Sequence, residues 1–549
     1  MTVQKPETLR AAMSDAVRRA FAEGQEDETL DPFVRVDTDG RPVGRIGPGD
    51  AVIFYDVRGE REVSLTRAMT DPDWPHFPVR PLGLAFVTLI EYGPGLGVRT
   101  AFPPETRLRN TLTEVLGRAG FRVRKISESE KASHLSFFFN GKSDEVFAGE
   151  ERVVVASPDV AHFAERPEMN AARVAEGTLA WLADDEPQLI IANLANVDEV
   201  GHLDDRAAVC RAVETVDAAL GRIVEASRRA KATLLVTADH GTVEEWLYPD
   251  GTVNTGHTRN PVPFLLLDFG SAAAGAWKVR PDGELADVAP TILDLAGVAK
   301  PAEMTGRSLL TGRPAEAGRR TKVVLLVLDG WGHREGRYGN MIAEAGAPSF
   351  ERLWAGFPHS ILAAAGEPVG MPEGTVGNSE AGHLHLGAGR RVLLERLRVD
   401  RAIADGSFFR NEAFRWALDE ARRNGTTLHL MGIVSHYSSH GTIDHLFALL
   451  RLAKDAGLER LFIHSFIGRR NELPASGAYY IEKVEEICRE LGLGQVVTVM
   501  GRYWSLARPG HWDRIEKAYR ALVHGEGRDV RAGAADEAGG RNPDGAKPV

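Results

Sequence analysis

Val376-Gly377-Asn378-Ser379-Glu380-Ala381-Gly382-His383 lies within a glycine-rich run, PVGMPEGTVGNSEAGHLHLGAGR. Glycines on both sides of the one serine let the backbone turn sharply and let a bulky group come close. The pattern predicts a tight turn leading into a helix. A serine at a helix N-terminus faces unpaired N–H groups and the positive end of the helix dipole, which suit a phosphoryl group. Ser379 is therefore a candidate nucleophile that carries phosphate. By itself the pattern is also that of a turn or capping serine, and the rest of the chain has to decide.

The chain has 549 residues, too many for one core, so two or more domains are expected. A hydrophobic content of 43% reads as globular and soluble. A net charge of −11 argues against a nucleic-acid partner. The two cysteines, Cys210 and Cys488, have no metal-ligand spacing and fit a reducing compartment. The first residues contain no signal-type apolar segment, and no run is apolar enough to span a bilayer, so the expected location is the cytoplasm.

Buried parallel strands punctuated by polar tips recur along the chain. After an amphipathic helix over 5–24, the strand over 49–55 leads into Asp56-Val57-Arg58-Gly59-Glu60-Arg61. Arg58 and Arg61 there either clamp a phosphate or carboxylate or are two solvated arginines. Lys131, near a strand end, is a phosphate contact or a surface lysine. The strand over 187–194 runs into Asn196-Val197-Asp198-Glu199-Val200-Gly201-His202, whose Asp198 and His202 share one helix face at a metal-ligand spacing. The strand over 232–238 ends in Asp239-His240-Gly241, and His257 follows in Asn254-Thr255-Gly256-His257-Thr258. Asp287 reads as the N-cap of a helix. Residues 311–320 read as a linker. The most apolar strand, TKVVLLVL over 321–328, ends in Asp329-Gly330-Trp331-Gly332. A carboxylate at such a tip is costly to bury unless it is paired or binds metal. Three later strands end at His440, at Arg470-Asn471 and at Arg502 with Arg508. The Gly/Ala/Asp/Arg-rich tail, 526–549, is expected to be disordered.

Two sets emerge. Asp329, Ser379, Asp198, His202, Asp239, His240 and His257 offer hard oxygens and imidazoles without thiolates, which suits Mn²⁺, with Zn²⁺ and Mg²⁺ as alternatives, and is enough for two ions. Arg58, Arg61, Lys131, His440, Arg470, Arg502 and Arg508 are cations for a phosphate and a carboxylate. Together they indicate phosphoryl transfer by positioning and electrostatics.

LDGWG (328–332), VGNSEAGHLHLGAGR (376–390), DGSF (405–408), LHLMG (428–432), GRYW (501–504), HWDR (511–514), DAVIF (50–54), FFFNG (137–141), the Asp198/His202 spacing, TADHG (237–241), GHTRNPVP (256–263) and AEMTGRSL (302–309) resemble the blocks of cofactor-independent phosphoglycerate mutases, of the alkaline phosphatase superfamily. The resemblance covers nearly the whole chain, but in a different order. The family begins with LDGWG and ends with AEMTGRSL, whereas here AEMTGRSL comes first. The resemblance therefore implies a circular permutant of an α/β architecture. Its alkaline-phosphatase-like domain, a mostly parallel sheet sandwiched by helices, is expected at 106–394, with the permutation linker near 311–320. A smaller α/β transferase domain is expected from 1–105 plus 395–525.

The resemblance also implies roles. Ser379 takes the phosphoryl group. Asp329, Ser379, Asp239 and His240 hold one divalent ion, and Asp198, His202 and His257 the other; the ion is Mn²⁺, with Mg²⁺, Zn²⁺ or Co²⁺ as alternatives, and no 2,3-bisphosphoglycerate is needed. Arg58, Arg61, Lys131, His440, Arg470, Asn471, Arg502 and Arg508 hold the substrate of a monomeric, membrane-free enzyme that interconverts 3- and 2-phosphoglycerate. The glycerate pocket departs from the family pattern. Ser435-His436-Tyr437-Ser438-Ser439-His440 stands where the family has Ser-Asp-Gly-Gly-Val-His, Asn471 where it has aspartate, and Ala507 where it has another. Asparagine hydrogen-bonds but is no base near neutral pH. This leaves three readings: a mutase with a drifted pocket; a mutase, transferase or phosphatase for another phosphorylated or phosphonylated hydroxy acid; and a poorly catalytic binding paralogue, against which the complete metal set speaks.

Overall fold

The computed structural model describes residues 13–531 apart from 94, 105–106, 161, 271–276, 313–321, 437, 439 and 469–474. The chain divides into two compact units. Residues up to Pro104 and from Arg398 onward form the first, and Glu105–Leu397 the second. In chain order the strands are β1 Phe33–Val36, β2 Ala51–Phe54, β3 Ala85–Ile90, β4 Arg99–Phe102, β5 Val123–Glu128, β6 Glu150–Val155, β7 Leu189–Leu194, β8 Thr233–Thr237, β9 Val262–Asp268, β10 Lys278–Val279, β11 Asp282–Glu284, β12 Leu310–Gly312, β13 Val323–Leu328, β14 His359–Ala363, β15 Leu428–Ile433, β16 Leu461–Ile467, β17 Gln495–Gly501 and β18 Arg528–Arg531.

The first unit holds a sheet in the order β18-β1-β17-β16-β15-β2-β3-β4, with β17 through β4 mutually parallel. Its strands are apolar on both faces. Ala51 and Ile53 face one core while Val52 and Phe54 face another; Leu428 and Leu430 oppose Met431 and Ile433 in the same way. Such continuous apolar runs mark parallel strands covered on both sides.

The second unit holds a sheet in the order β11-β14-β9-β8-β13-β7-β5-β6, parallel from β8 to β6 and antiparallel at β8/β9 and β9/β14. Its central strand, β13 (VVLLVL), is buried along its whole length. Each such side chain contributes about 1.5–3 kcal/mol relative to exposure. Among the described residues no helix is long and apolar enough to cross a membrane.

Three expectations need correction. Arg528–Arg531, assigned to a disordered tail, pairs in parallel with β1 and buries Val530. Composition cannot see that β1 supplies a row of backbone partners. Residues 311–312 of the expected linker belong to β12, which pairs with β10, while 313–320 lie outside the described residues. Asp287 precedes the helix Val288–Ala296 but does not cap it through its side chain. Its carboxylate instead accepts from Arg280 Nη2, Glu284 N and Arg307 N at 2.7–3.0 Å, the denser set of donors. Of the helix expected over 5–24, Met13–Ala22 is described.

A polar chain crosses the apolar sheet of the first unit. His429 Nε2 lies 3.2 Å from Asp50 Oδ2, His429 Nδ1 lies 3.0 Å from His464 Nε2, and His464 Nδ1 lies 3.1 Å from Thr498 Oγ1. Burial, reinforced by His429, holds the His464 imidazole well below its ordinary 6.5. A depressed pKa means that His464 favours folding above pH 6.5 and disfavours it increasingly below, at no more than about 1.4 kcal/mol per pH unit. The urea midpoint of the wild type should thus fall on going from pH 7.5 to 5.5, and fall less in His464→Gln. Equal falls in both proteins would exclude the effect.

Candidate phosphoryl-transfer site

Four neighbouring parallel strands of the second unit, in the order β8-β13-β7-β5, deliver the chemistry at their C-terminal ends, where open α/β sheets place ligands. β8 leads to Asp239 and His240, and β13 to Asp329. β7 leads to the short helix Asn196–Gly201, which carries Asp198 and is capped by His202. β5 leads to the 3₁₀ turn Ser129–Lys131. Ser379 opens the helix Ser379–Ala388, whose N-cap Asn378 accepts from Ala381 N; the turn into a helix expected from sequence is present. Gly382 lets this helix approach the strand end, since a Cβ there would stand 2.4 Å from the Asp239 carbonyl oxygen.

Ser379 Oγ lies 3.0 Å from His240 Nε2 and 3.1 Å from Lys131 Nζ, and donates to Asp329 Oδ1 at 3.3 Å. Asp198, Asp239 and Asp329 are all buried. Lys131, expected among the substrate cations or on the surface, is buried against them. Its ammonium hydrogen-bonds Asp198 and lies 3.0 Å from Asp329 Oδ1 and 3.2 Å from Glu199 Oε1. Against the cost of burial, Asp198, Asp329 and Glu199 push the Lys131 pKa well up, so the group stays charged. Burial and the neighbouring Asp239 push Asp329 up to about 7.

The imidazoles are oriented from behind. His202 Nδ1 lies 2.8 Å from the Thr255 carbonyl and His257 Nδ1 2.8 Å from that of Gly377. A carbonyl only accepts, so each Nδ1 carries the proton and each Nε2 is turned inward. The two Nε2 atoms lie 3.2 Å apart, and 3.3 and 3.2 Å from Asp198 Oδ1. Inward lone pairs beside a carboxylate call for a cation between them. A proton on Nε2 can fill the same role: donated to Asp198, it raises His202 to about 9. Asp239 Oδ2 is buried with no hydrogen bond and faces His383 Nδ1 at 3.2 Å and His240 Nε2 at 3.5 Å. Asp198/His240/His257 and Asp239/His240/Asp329 each present ligand atoms within 4.8 Å of one another. His240 thus faces both groups. The donors fit hard or borderline divalent cations.

Several supporting residues escaped sequence reading. Asn193 donates to Asp329 Oδ2 at 2.7 Å and meets His383 Nε2 at 3.0 Å. His383 Nδ1 also meets the Ser379 carbonyl at 2.9 Å. The available signals were a polar residue inside the apolar strand β7 and a histidine four residues after Ser379, on the same helix face.

The other cations lie at the C-terminal ends of adjacent parallel strands in the first unit. Arg58 and Arg61 follow β2, His440 follows β15, and Arg502 opens the helix after β17. His440 is buried, with Nδ1 2.6 Å from Glu62 Oε1. Arg502 is buried with Nε 3.6 Å from Glu28 Oε1, and Arg61 Nε is buried without a hydrogen bond. Arg58 is exposed and pairs with Glu60 at 3.2 Å. Arg508 is exposed. Arg470 and Asn471 lie outside the described residues.

The chain is similar to known proteins over separate stretches. A model of the Metalloenzyme superfamily matches residues 29–300, and one described as the BPG-independent PGAM N-terminus matches residues 399–539. The 2,3-bisphosphoglycerate-independent phosphoglycerate mutase of Moorella thermoacetica is 44% identical over 299 residues, 54% of this chain and 57% of that protein. That of Thermomicrobium roseum is 42% identical over 309 residues, 55% of this chain and 58% of that protein. The chain thus spans somewhat more than half the length of the curated relatives it matches. A Leishmania mexicana phosphoglycerate mutase structure, at low cobalt concentration, aligns with a TM-score of 0.39 and 29% identity over 51% of this chain and 53% of that one. Residues 29–300 are thus similar to the metalloenzyme superfamily and residues 399–539 to the N-terminal part of BPG-independent phosphoglycerate mutases, enzymes to which the chain is 42–44% identical over somewhat more than half its length.

Proposed function

We propose that this protein interconverts 3- and 2-phosphoglycerate through a phosphoserine at Ser379. The observation that carries this reading is the position of Ser379 Oγ. It lies on the first turn of a helix, within 3.0–3.3 Å of His240, Lys131 and Asp329, at the C-terminal ends of parallel strands. The hydroxyl donates to Asp329, which aims an oxygen lone pair away from that carboxylate. The helix N-terminus and the Lys131 ammonium offset the charge of an arriving phosphoryl group. Asp329, Ser379, Asp239 and His240 would hold one divalent ion, and Asp198, His202 and His257 the other, with Mn²⁺ the ion the donor set favours. When bound, such ions add positive charge where the transferring phosphoryl group is most negative. In the first unit, Arg58, Arg61, His440, Arg470, Asn471, Arg502 and Arg508 would hold glycerate, which takes the phosphoryl group back on its other hydroxyl. The enzyme is read as a monomer of the cytoplasm.

We also infer a circular permutation, with a transferase domain made from both chain ends and a continuous phosphatase domain. Support comes from the order of the matches: the N-terminal family model falls on residues 399–539, after the metalloenzyme match at 29–300. The second reading, a related enzyme for another hydroxy acid, is favoured by one feature, Asn471 in place of the family's aspartate.

Incubation of Mn²⁺-loaded protein with 3-phosphoglycerate, followed by ³¹P NMR, should yield 2-phosphoglycerate without free phosphate, and Ser379→Ala should cut turnover at least ~10³-fold. Free phosphate would favour a phosphatase; no turnover would favour a different substrate. Lys131 yields a stability prediction. Removing it leaves buried carboxylates without their ammonium, so EDTA-treated Lys131→Met should unfold with about 3–5 kcal/mol less stability than EDTA-treated wild type. Added Mn²⁺ should recover most of that loss. Equal stability of the two EDTA-treated proteins would contradict the pairing.

A further inference from the structure

The first unit contains a buried acid–histidine cluster, two of whose members, Asp56 and Glu62, have no role above; the third, His440, is read there only as a substrate contact. Asp56 follows β2, Glu62 opens the helix Glu62–Thr70, and His440 follows β15; all three are buried. Glu62 Oε1 lies 2.6 Å from His440 Nδ1, and Glu62 Oε2 accepts from Arg61 N at 3.1 Å. Val57 N donates to the His440 carbonyl at 2.6 Å, which ties the two loops together. Asp56 Oδ1 accepts from Ile433 N at 2.8 Å, while its Oδ2 is buried without a hydrogen bond. His440 Nε2 makes no hydrogen bond among the described residues. The ring is therefore gripped on one nitrogen and available on the other, beside the arginines assigned to substrate. An imidazole backed by a carboxyl is the general arrangement for moving a proton to or from a substrate oxygen.

We propose that Glu62 and His440 form the acid–base pair of the glycerate pocket, His440 Nε2 meeting the substrate oxygens and Glu62 positioning the ring and exchanging a proton through Nδ1. The proposal rests on the mutase reading, and supplies the proton transfer that Asn471 cannot. Burial raises Glu62 to about 8, and burial lowers His440 to about 4. At neutral pH the shared proton thus sits on Glu62, which donates to Nδ1, and Nε2 bears hydrogen. The groups facing His440 are Asp56, Arg58 and Arg61 from the strand-end turn, Glu62 from its helix, and Arg502 from the helix after β17. Tyr55 and Tyr92 flank Asp56.

The cycle balances. As the phosphorus–glycerate oxygen bond breaks and the phosphorus–Ser379 Oγ bond forms, Nε2–H protonates the departing glycerate oxygen. Glu62 passes its proton to Nδ1 and becomes a carboxylate. The Ser379 hydroxyl proton leaves to solvent. On return, the other glycerate hydroxyl gives its proton to Nε2, Nδ1 returns one to Glu62, and Ser379 regains a proton from solvent. Glu62 is a positioning residue in this scheme, and His440 the group that touches substrate.

The test compares metal-loaded wild type with Glu62→Gln, an isostere that cannot carry the proton. Expected are a kcat lower by ~10²-fold with KM within about two-fold. The fall of wild-type kcat as pH rises through about 8, where Glu62 would ionise, should be absent in the variant. A variant that retains kcat and that alkaline limb overturns the proposal while leaving the mutase reading intact. A wild type that forms no 2-phosphoglycerate overturns both. Should Glu62→Gln not fold, ¹⁵N-histidine NMR of the Mg²⁺-loaded wild type decides. His440, assigned by its absence in His440→Gln, is expected to stay neutral at pH 5.5 and to change tautomer near pH 8; ordinary titration near 6.5 overturns the pairing.

Discussion

Three aspartates buried around a single ammonium dominate the second unit. Asp198, Asp239 and Asp329 are withdrawn from water, and Lys131 is the one lysine or arginine in hydrogen-bond or ion-pair reach of Asp198 and Asp329 among the described residues. Charges so placed cost several kcal/mol each unless other groups answer them. His202, His240, His257 and His383 therefore crowd the same carboxylates. The site is a concentration of negative potential held in place by rigid strands and suited to cations.

The sheet makes that concentration tolerable. β8, β13, β7 and β5 run parallel, and β8, β13 and β7 are largely apolar, so the carboxylates they deliver begin where the strands stop. Buried side-chain layers fix the strand ends, and the groups they carry inherit that precision. Close backbone approaches complete the arrangement. Gly330, at φ +78°, sits with its would-be Cβ 2.9 Å from the Asp198 backbone, so any larger residue there would push the two strand ends apart.

The first unit uses the same plan for the opposite charge. Its parallel strands lead to Arg58 and Arg61, His440 and Arg502, with one buried aspartate, Asp56, among them. Its interior nevertheless carries the Asp50–His429–His464–Thr498 chain and the Glu62–His440 pair, polar groups bonded to one another inside an apolar sheet. Connected networks of this kind lock the relative register of strands and loops.

Much of this was legible without coordinates. Parallel strands announced themselves as unbroken apolar runs, and the metal-type donors as polar residues at the ends of those runs. Strand ends are local, and so is the turn into the Ser379 helix. Lys131 was harder: its neighbours Asp198, Asp329 and Ser379 come from other strands, and a lysine in a polar stretch carries no local sign of burial. Arg528–Arg531 was misread because its partner, β1, is almost five hundred residues away in the chain. Glu62 went unnoticed because nothing in its own segment points to His440. The sequence by itself determined which residue types stand at which strand ends, since apolar continuity and the residues that interrupt it are written along the chain. Only the tertiary structure decided which of those ends meet, because the distances among buried charges depend on strand order, and strand order is a property of the folded sheet.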